Sequence, residues 1–219
     1  DSTAYLPQNI IDDLGIYVVP LTLHWDEDSY RDGIDMKAEE FYQRLSVSDS
    51  IPTTSQTPVT VFDKLFKDLL EQDMAVFAML ISSGISGTVE SALQAKLNFP
   101  GAPLEVMDSK VVSMALGFLV LTVARAAKEG ASLEACVELA NKTYPKIGVY
   151  FTVDTLKYLN KGGRINTAKR LLGSALDLKP IMEIRGGKIE LVESVRSRKK
   201  SLQRMLELVE RDIAGKEPI

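Results

Sequence analysis

Met74-Ala75-Val76-Phe77-Ala78-Met79-Leu80-Ile81 is an unbroken apolar run that leads directly into Ser82-Ser83-Gly84-Ile85-Ser86-Gly87-Thr88. An apolar stretch of this length without alternation reads as a strand buried on both faces, the habit of parallel sheets covered by helices. The serine- and glycine-rich stretch behind it opens a helix predicted from about Gly87 to Leu97. A short strand at Leu104–Met107, a long helix from about Lys110 to Gly130 and a further helix from about Ser132 continue the alternation of strand and helix. The pattern predicts an α/β fold.

Working upstream, Ile16 to Leu23 is rich in β-branched residues and reads as a strand, followed by a polar turn region through Asp32-Gly33. Asp35 is placed to cap a helix through Leu45. Thr57-Pro58 is a second start signal, with Phe62, Leu65, Phe66 and Leu69 on one helical face. Downstream, Gly148 to Val153 reads as another strand. Pro180–Arg185 and Lys188–Val195 flank Gly186-Gly187, a two-residue hairpin signal, and a basic amphipathic helix from Ser197 to Ile213 follows. The predicted organisation is an N-terminal α/β domain over residues 1–150, with a mostly parallel sheet flanked by helices, and a smaller C-terminal α/β domain over residues 151–219 that contains the hairpin.

Charge supports the division. The 219 residues carry a net charge of −4, but residues 1–154 sum to −11 and residues 155–219 to +7, which points to different surface partners for the two parts. An acidic chain is a poor fit to nucleic acid, whose binders neutralise phosphates. The apolar stretches are too short or too interrupted to span a bilayer, so no stable membrane insertion is expected. The N-terminus lacks a basic-then-apolar signal pattern, and a cytoplasmic location is the default expectation. With 45% hydrophobic residues the chain has ample material for a core. Cys136, alone in the sequence, falls in a helical pattern with Leu133, Val137 and Ala140 and reads as core, which excludes a disulfide framework or a zinc site.

Three stretches can carry chemistry. Pro52-Thr53-Thr54-Ser55-Gln56 and Ser82–Thr88 are hydroxyl-rich, and the second lies between a buried strand and a helix. Ligands of open parallel sheets bind beyond the carboxyl ends of the strands. There, small hydroxyl side chains and glycines let amide and Oγ donors converge on a carboxylate or phosphate, aided by the helix dipole. The plainer alternative makes Ser86 and Thr57 ordinary helix caps and the remaining hydroxyls turn formers. The third stretch is Leu159-Asn160-Lys161-Gly162-Gly163-Arg164-Ile165, where Arg164 can offer a bidentate fork to an anion; a glycine helix cap beside a solvated arginine is the competing reading. No phosphate-loop or dinucleotide signature occurs, and no cofactor is expected. His24, the single histidine, has no serine or metal-ligand partner nearby in sequence, and a structural or surface role is expected for it. A hydrolase or transferase using Ser83 or Ser86 as nucleophile would require His24 to meet one of them in space.

Taken together these residues resemble the DegV family of bacterial fatty-acid-binding proteins. The resemblance runs through Asp1-Ser2-Thr3-Ala4 with Leu6-Pro7, Val18-Val19-Pro20-Leu21, Tyr30-Arg31-Asp32-Gly33, Thr54-Ser55-Gln56, Ser82–Thr88, Asp108-Ser109, Gly162-Gly163-Arg164-Ile165 and Leu178-Lys179-Pro180-Ile181, in the family's order. It implies a long-chain fatty acid buried in a tunnel, with its carboxylate held by Thr54, Ser55 and Ser86 and with Ser83 and the Gly87 amide as neighbours. It further implies a carrier rather than an enzyme. The partner would be a fatty acid kinase, similar to dihydroxyacetone kinases, that makes acyl-phosphate for phospholipid synthesis, with Arg164 and its glycines Gly162 and Gly163 near the head group or facing the kinase. Two departures stand out. The family has a short apolar strand before its Asp-Ser-Thr motif and, after the equivalent of Ile219, a further α/β segment with a histidine-containing motif. The C-terminal unit is therefore expected to be incomplete.

Overall fold

The computed structural model describes residues 1–172 and 178–215. Its contacts divide the chain into two compact units, Asp1–Pro145 and Lys146–Ile219.

The first unit opens with a 3-10 turn at Ser2–Ala4 and helix α1 (Gln8–Leu14), which Gly15 ends in the left-handed region at φ 61°. Strands β1 (Thr22–Trp25) and β2 (Asp28–Arg31) follow, then α2 (Ala38–Val47), β3 (Thr53–Ser55), α3 (Val59–Leu70), β4 (Val76–Leu80), α4 (Thr88–Lys96), β5 (Leu104–Asp108), α5 (Met114–Lys128) and α6 (Leu133–Thr143). Strands β4 and β5 pair in parallel, with Val76 opposite Leu104 and Leu80 opposite Asp108, as the apolar run and the intervening helix require. Phe62, Phe66 and Leu69 of α3 and Val89, Ala92 and Ala95 of α4 pack against Val76, Leu80 and Leu104 to form the main core. Cys136 is buried in α6.

The expected strand over Ile16–Leu23 begins late. Residues 16–21 run without strand pairing, and β1 starts at Thr22, where antiparallel partners become available on both sides. The order is β2-β1-β3. The hydroxyl-rich stretch 52–56 thus contributes an edge strand where the sequence suggested a loop. Leu23 and Trp25 face inward onto Met36, Phe41 and Leu45, while Thr22 and His24 occupy the other face, as the two-residue period of a strand dictates. The Arg44 guanidinium lies over the Trp25 ring, 4.4 Å from its centroid.

Asp35 does not cap α2, whose cap position is Lys37. Its carboxylate instead accepts from the Arg31 amide at 2.8 Å and the Arg31 guanidinium at 2.9 and 2.8 Å, and these bonds hold its pKa down to about 2. The long helix also starts later than expected, at Met114. Lys110 at φ 57° and Ser113 at φ 62° leave the helical region and delay it. Ser132 caps α6, accepting from the Ala135 amide, and Ser197 caps the last helix, Arg198–Ile213, accepting from the Lys200 amide.

The second unit contains β6 (Tyr150–Thr152), α7 (Lys157–Lys161), a 3-10 segment (Asn166–Leu171), β7 (Lys179–Arg185), β8 (Lys188–Val195) and α8 (Arg198–Ile213). Its antiparallel sheet has the order β6-β7-β8. The hairpin turns at Gly186 and Gly187, with φ of 56° and 80°, the pair of positive values that matches the right-handed strand twist. Ile181, Met182 and Leu208 are almost fully buried.

Candidate functional site

The carboxyl ends of β4 and β5 are organised by Asp1 and Asp108. The buried Asp1 carboxylate accepts from the Thr3 amide at 3.0 Å, the Thr3 hydroxyl at 2.6 Å and the Ile81 amide at 2.6 Å. It thereby ties the first turn to the end of β4. Beyond Ile81 the chain turns tightly: Ile85 and Ser86 amides both donate to the Ser82 carbonyl, at 2.9 and 3.0 Å, and the Gly84 amide donates to Ser82 Oγ at 3.2 Å. These bonds place Ser86 and Gly87 at the start of α4, where the first helical amides lack intrahelical acceptors.

Gln56 brings the two hydroxyl-rich stretches together. Its amide donates to Ser91 Oγ in the first turns of α4 at 2.8 Å, and its side chain lies so close to Gly87 that a Cβ there would stand 1.9 Å from Oε1. Glycine at position 87 is therefore required for this approach and not for an unusual φ. Gln56 belongs to the quoted pattern, yet the sequence alone assigned it no role. Its contact with a residue 35 positions away has no local signature.

The hydroxyl groups differ in what their protons do. Ser83 is exposed and donates to the Asp108 carboxylate, whose other oxygen accepts from the Ser83 amide at 3.1 Å. Lys110 Nζ stands 2.6 Å from that carboxylate and 3.4 Å from Ser83 Oγ. Ser83 thus sits beside the Asp108–Lys110 ion pair with its proton already given to the carboxylate. Ser86 is buried, and its Oγ accepts from the Thr88 amide at 3.3 Å and lies 2.9 Å from Thr88 Oγ1. If Thr88 is the hydroxyl donor, the Ser86 proton is left over for a ligand. In β3, alternation puts Thr54 on the Leu23 face and Thr53 and Ser55 on the His24 face. The Thr54 hydroxyl has no partner among the described residues, whereas Ser55 Oγ lies 2.9 Å from His24 Nε2. His24 Nδ1 lies 2.8 Å from Ser29 Oγ. The histidine therefore meets Ser29 and Ser55, while Ser83 and Ser86 engage Asp108 and Thr88.

Burial pushes the Asp108 carboxyl up, but hydrogen bonds from Lys110 and Ser83 outweigh it and leave the pKa below the ordinary value. A lowered carboxyl stabilises the fold above the unfolded-state pKa, and that contribution is lost as pH falls through the folded-state value. Lys110→Met should accordingly raise the Asp108 pKa and move the onset of acid unfolding to higher pH, as read by carboxyl-carbon NMR titration; an unmoved Asp108 signal would show that Lys110 does not stabilise it.

Arg164 lies in the second unit. Its guanidinium folds back to donate to the Gly162 carbonyl. Gly162 closes α7, with its amide donating to the Tyr158 carbonyl at 2.8 Å. Only Gly163 of the pair takes a positive φ, 75°. The glycine-cap geometry is present, then, with the arginine held against it.

An apolar cavity of about 430 Å³ lies within the first unit. Val18 and Val19, Phe62 and Phe66, the length of β4, and Val120 and Val123 line it. None of Thr54, Ser55, Ser83, Ser86 and Gly87 does so. Among the described residues no cluster of three or more histidine, cysteine or acidic side chains is arranged to hold a metal, and no helix is long and apolar enough to cross a membrane.

Fold and site define a two-unit α/β protein whose neutral hydroxyl donors gather at the carboxyl end of a parallel strand pair. The chain belongs to the DegV family: the family model described as "Uncharacterised protein, DegV family" matches residues 1–219. A DegV domain-containing protein of Caldanaerobacter subterraneus subsp. tengcongensis is 38% identical over 203 residues, 93% of this chain and 72% of that protein. Among solved structures, a fatty-acid-binding DegV family protein from Thermus thermophilus superposes with a TM-score of 0.88 at 33% identity, covering 98% of this chain and 76% of the other. A stearic acid-binding protein from Eubacterium ventriosum superposes with a TM-score of 0.89 at 28% identity, covering 97% and 75%.

Proposed function

We propose that this protein binds one long-chain fatty acid in an apolar tunnel and presents its carboxylate to a fatty acid kinase for conversion to acyl-phosphate. The observation that carries the proposal is Gln56, the residue after the Thr53–Ser55 strand, whose side chain donates to Ser91 in α4 and lies against Gly87 at the start of that helix. The similarity to fatty-acid-binding structures supplies the ligand class.

In this reading the carboxylate accepts from the Ser86 hydroxyl, the Thr54 hydroxyl and the Gly87 amide. Ser55 and Ser83 stand behind them as supports, because Ser55 is held by His24 and the Ser83 hydroxyl already donates to the Asp108 carboxylate. Neutral donors at a helix N-terminus satisfy a desolvated carboxylate without a permanent ion pair, and so leave it reactive toward a phosphoryl donor. The acyl chain contributes about 0.8 kcal/mol per buried methylene, so the tail sets affinity and the loops set orientation. The 430 Å³ cavity is not the tail site in this reading. One wall is β4, which among the described residues has β5 as its single strand partner, and an alkyl chain would leave the peptide groups of its other edge unsatisfied.

Mass spectrometry of the denatured protein is expected to release one fatty acid per chain, and oleate should be taken up by delipidated protein. With a cognate kinase and ATP the bound acid should become acyl-phosphate. Arg164→Ala should lower that turnover more than lipid retention. Protein that neither carries nor takes up a fatty acid would refute the proposal.

A further inference from the structure

His24 is the single histidine of the chain, and neither ring nitrogen is spare. Nδ1 lies 2.8 Å from Ser29 Oγ on β2, and Nε2 lies 2.9 Å from Ser55 Oγ on β3. The ring thus spans the middle strand β1 and pins both neighbours from the same face. Strand β3 is an edge of this sheet, three residues long, with every residue exposed. Such a strand has little apolar burial to fix its position, and its place rests on a few ladder bonds and side-chain ties. On the opposite face of β3, one residue away, is Thr54.

We infer that His24 is a positioning residue for the head-group site: it grips Ser55 and thereby holds Thr54, on the other face of the same strand, in place to donate to the ligand carboxylate. The inference rests on the proposed binding of a fatty acid at Thr54 and Ser86. In either neutral tautomer of an imidazole one serine accepts from the ring and the other donates into it. Either tautomer keeps both bonds. What matters for Thr54 is that the ring remains bonded to β3.

The test compares oleate with oleyl alcohol, which has the same tail and no carboxylate, on the delipidated full chain. His24→Ala and Ser55→Ala should each weaken oleate binding about 5-fold, less than full loss of a hydrogen bond to the carboxylate because the ladder bonds of β3 remain, and leave oleyl alcohol unchanged. The double variant should be no weaker than either single one, and Thr54→Ala should make His24→Ala silent, because all act through one group. His24→Gln, which retains a donor and an acceptor, should recover most of the loss. Nitrogen-15 NMR of the ring is free of overlap from other histidines, and it should change on Ser55→Ala. Oleate binding in His24→Ala equal to the parent chain, or equal losses for oleate and oleyl alcohol, would overturn the inference while leaving the fatty acid proposal standing. Failure of the parent chain to bind oleate would instead overturn that proposal and this inference with it.

Discussion

Replacing Ser86 and Thr54 together by alanine is expected to lower the affinity for oleate by at least about 100-fold, with little change in the fold. A hydrogen bond to an ionised group contributes about 1.5–3 kcal/mol, and two such donors are removed from a desolvated carboxylate, with one Gly87 amide left. The stability cost is small by comparison. Thr54 is exposed and has no side-chain partner among the described residues. Ser86 is buried and loses its bond from the Thr88 amide, a change of about 1 kcal/mol. Titration of delipidated protein with oleate, beside a urea melt, separates the two effects. An affinity unchanged within a factor of two would remove both residues from the head-group site. Non-additivity against the single variants would show that both donate to one carboxylate.

The largest effect on stability is expected from Gly117→Ala. Helix propensity alone favours this change by about 1 kcal/mol, so a solvent-exposed helix would be stabilised. Gly117 is buried in α5, however, and a Cβ there would stand 2.5 Å from the Ala4 carbonyl oxygen and 3.4 Å from Leu6 Cδ2. The clash is with backbone, which cannot rotate away as the tip of Gln56 can beside Gly87. Overpacking of this kind typically costs 1–3 kcal/mol, and about 2 kcal/mol of destabilisation is expected from chemical denaturation. Displacing Ala4 should also loosen Asp1 from the Ile81 amide, seen as faster hydrogen exchange at Ile81. A raised unfolding midpoint would mean that the helix and the first turn separate without cost.

Much of the architecture was legible because it depends on near neighbours in sequence. The 74–81 run, the helix starts near Ser132 and Ser197, and the Gly186-Gly187 hairpin each encode their own backbone or burial preference. Where a partner outside the element's own pattern competes, local reading goes astray. Asp35 resembles a helix cap but is claimed by Arg31 across a turn. Ile16–Leu21 has the composition of a strand and lacks strand pairing. Thr53–Ser55 reads as a polar loop and is an edge strand because β1 offers it a ladder.

By itself, the sequence determined that this is an α/β protein with hydroxyl-rich segments behind a buried parallel strand, and its ordered motifs pointed to the DegV family. Only the tertiary structure decided what each hydroxyl is free to do. Ser83 is engaged by Asp108, 25 positions away, and Ser55 by His24, 31 positions away, while Gln56 closes on Gly87. A side chain's chemistry is written in its residue type, but the availability of its proton depends on the partner that folding brings beside it.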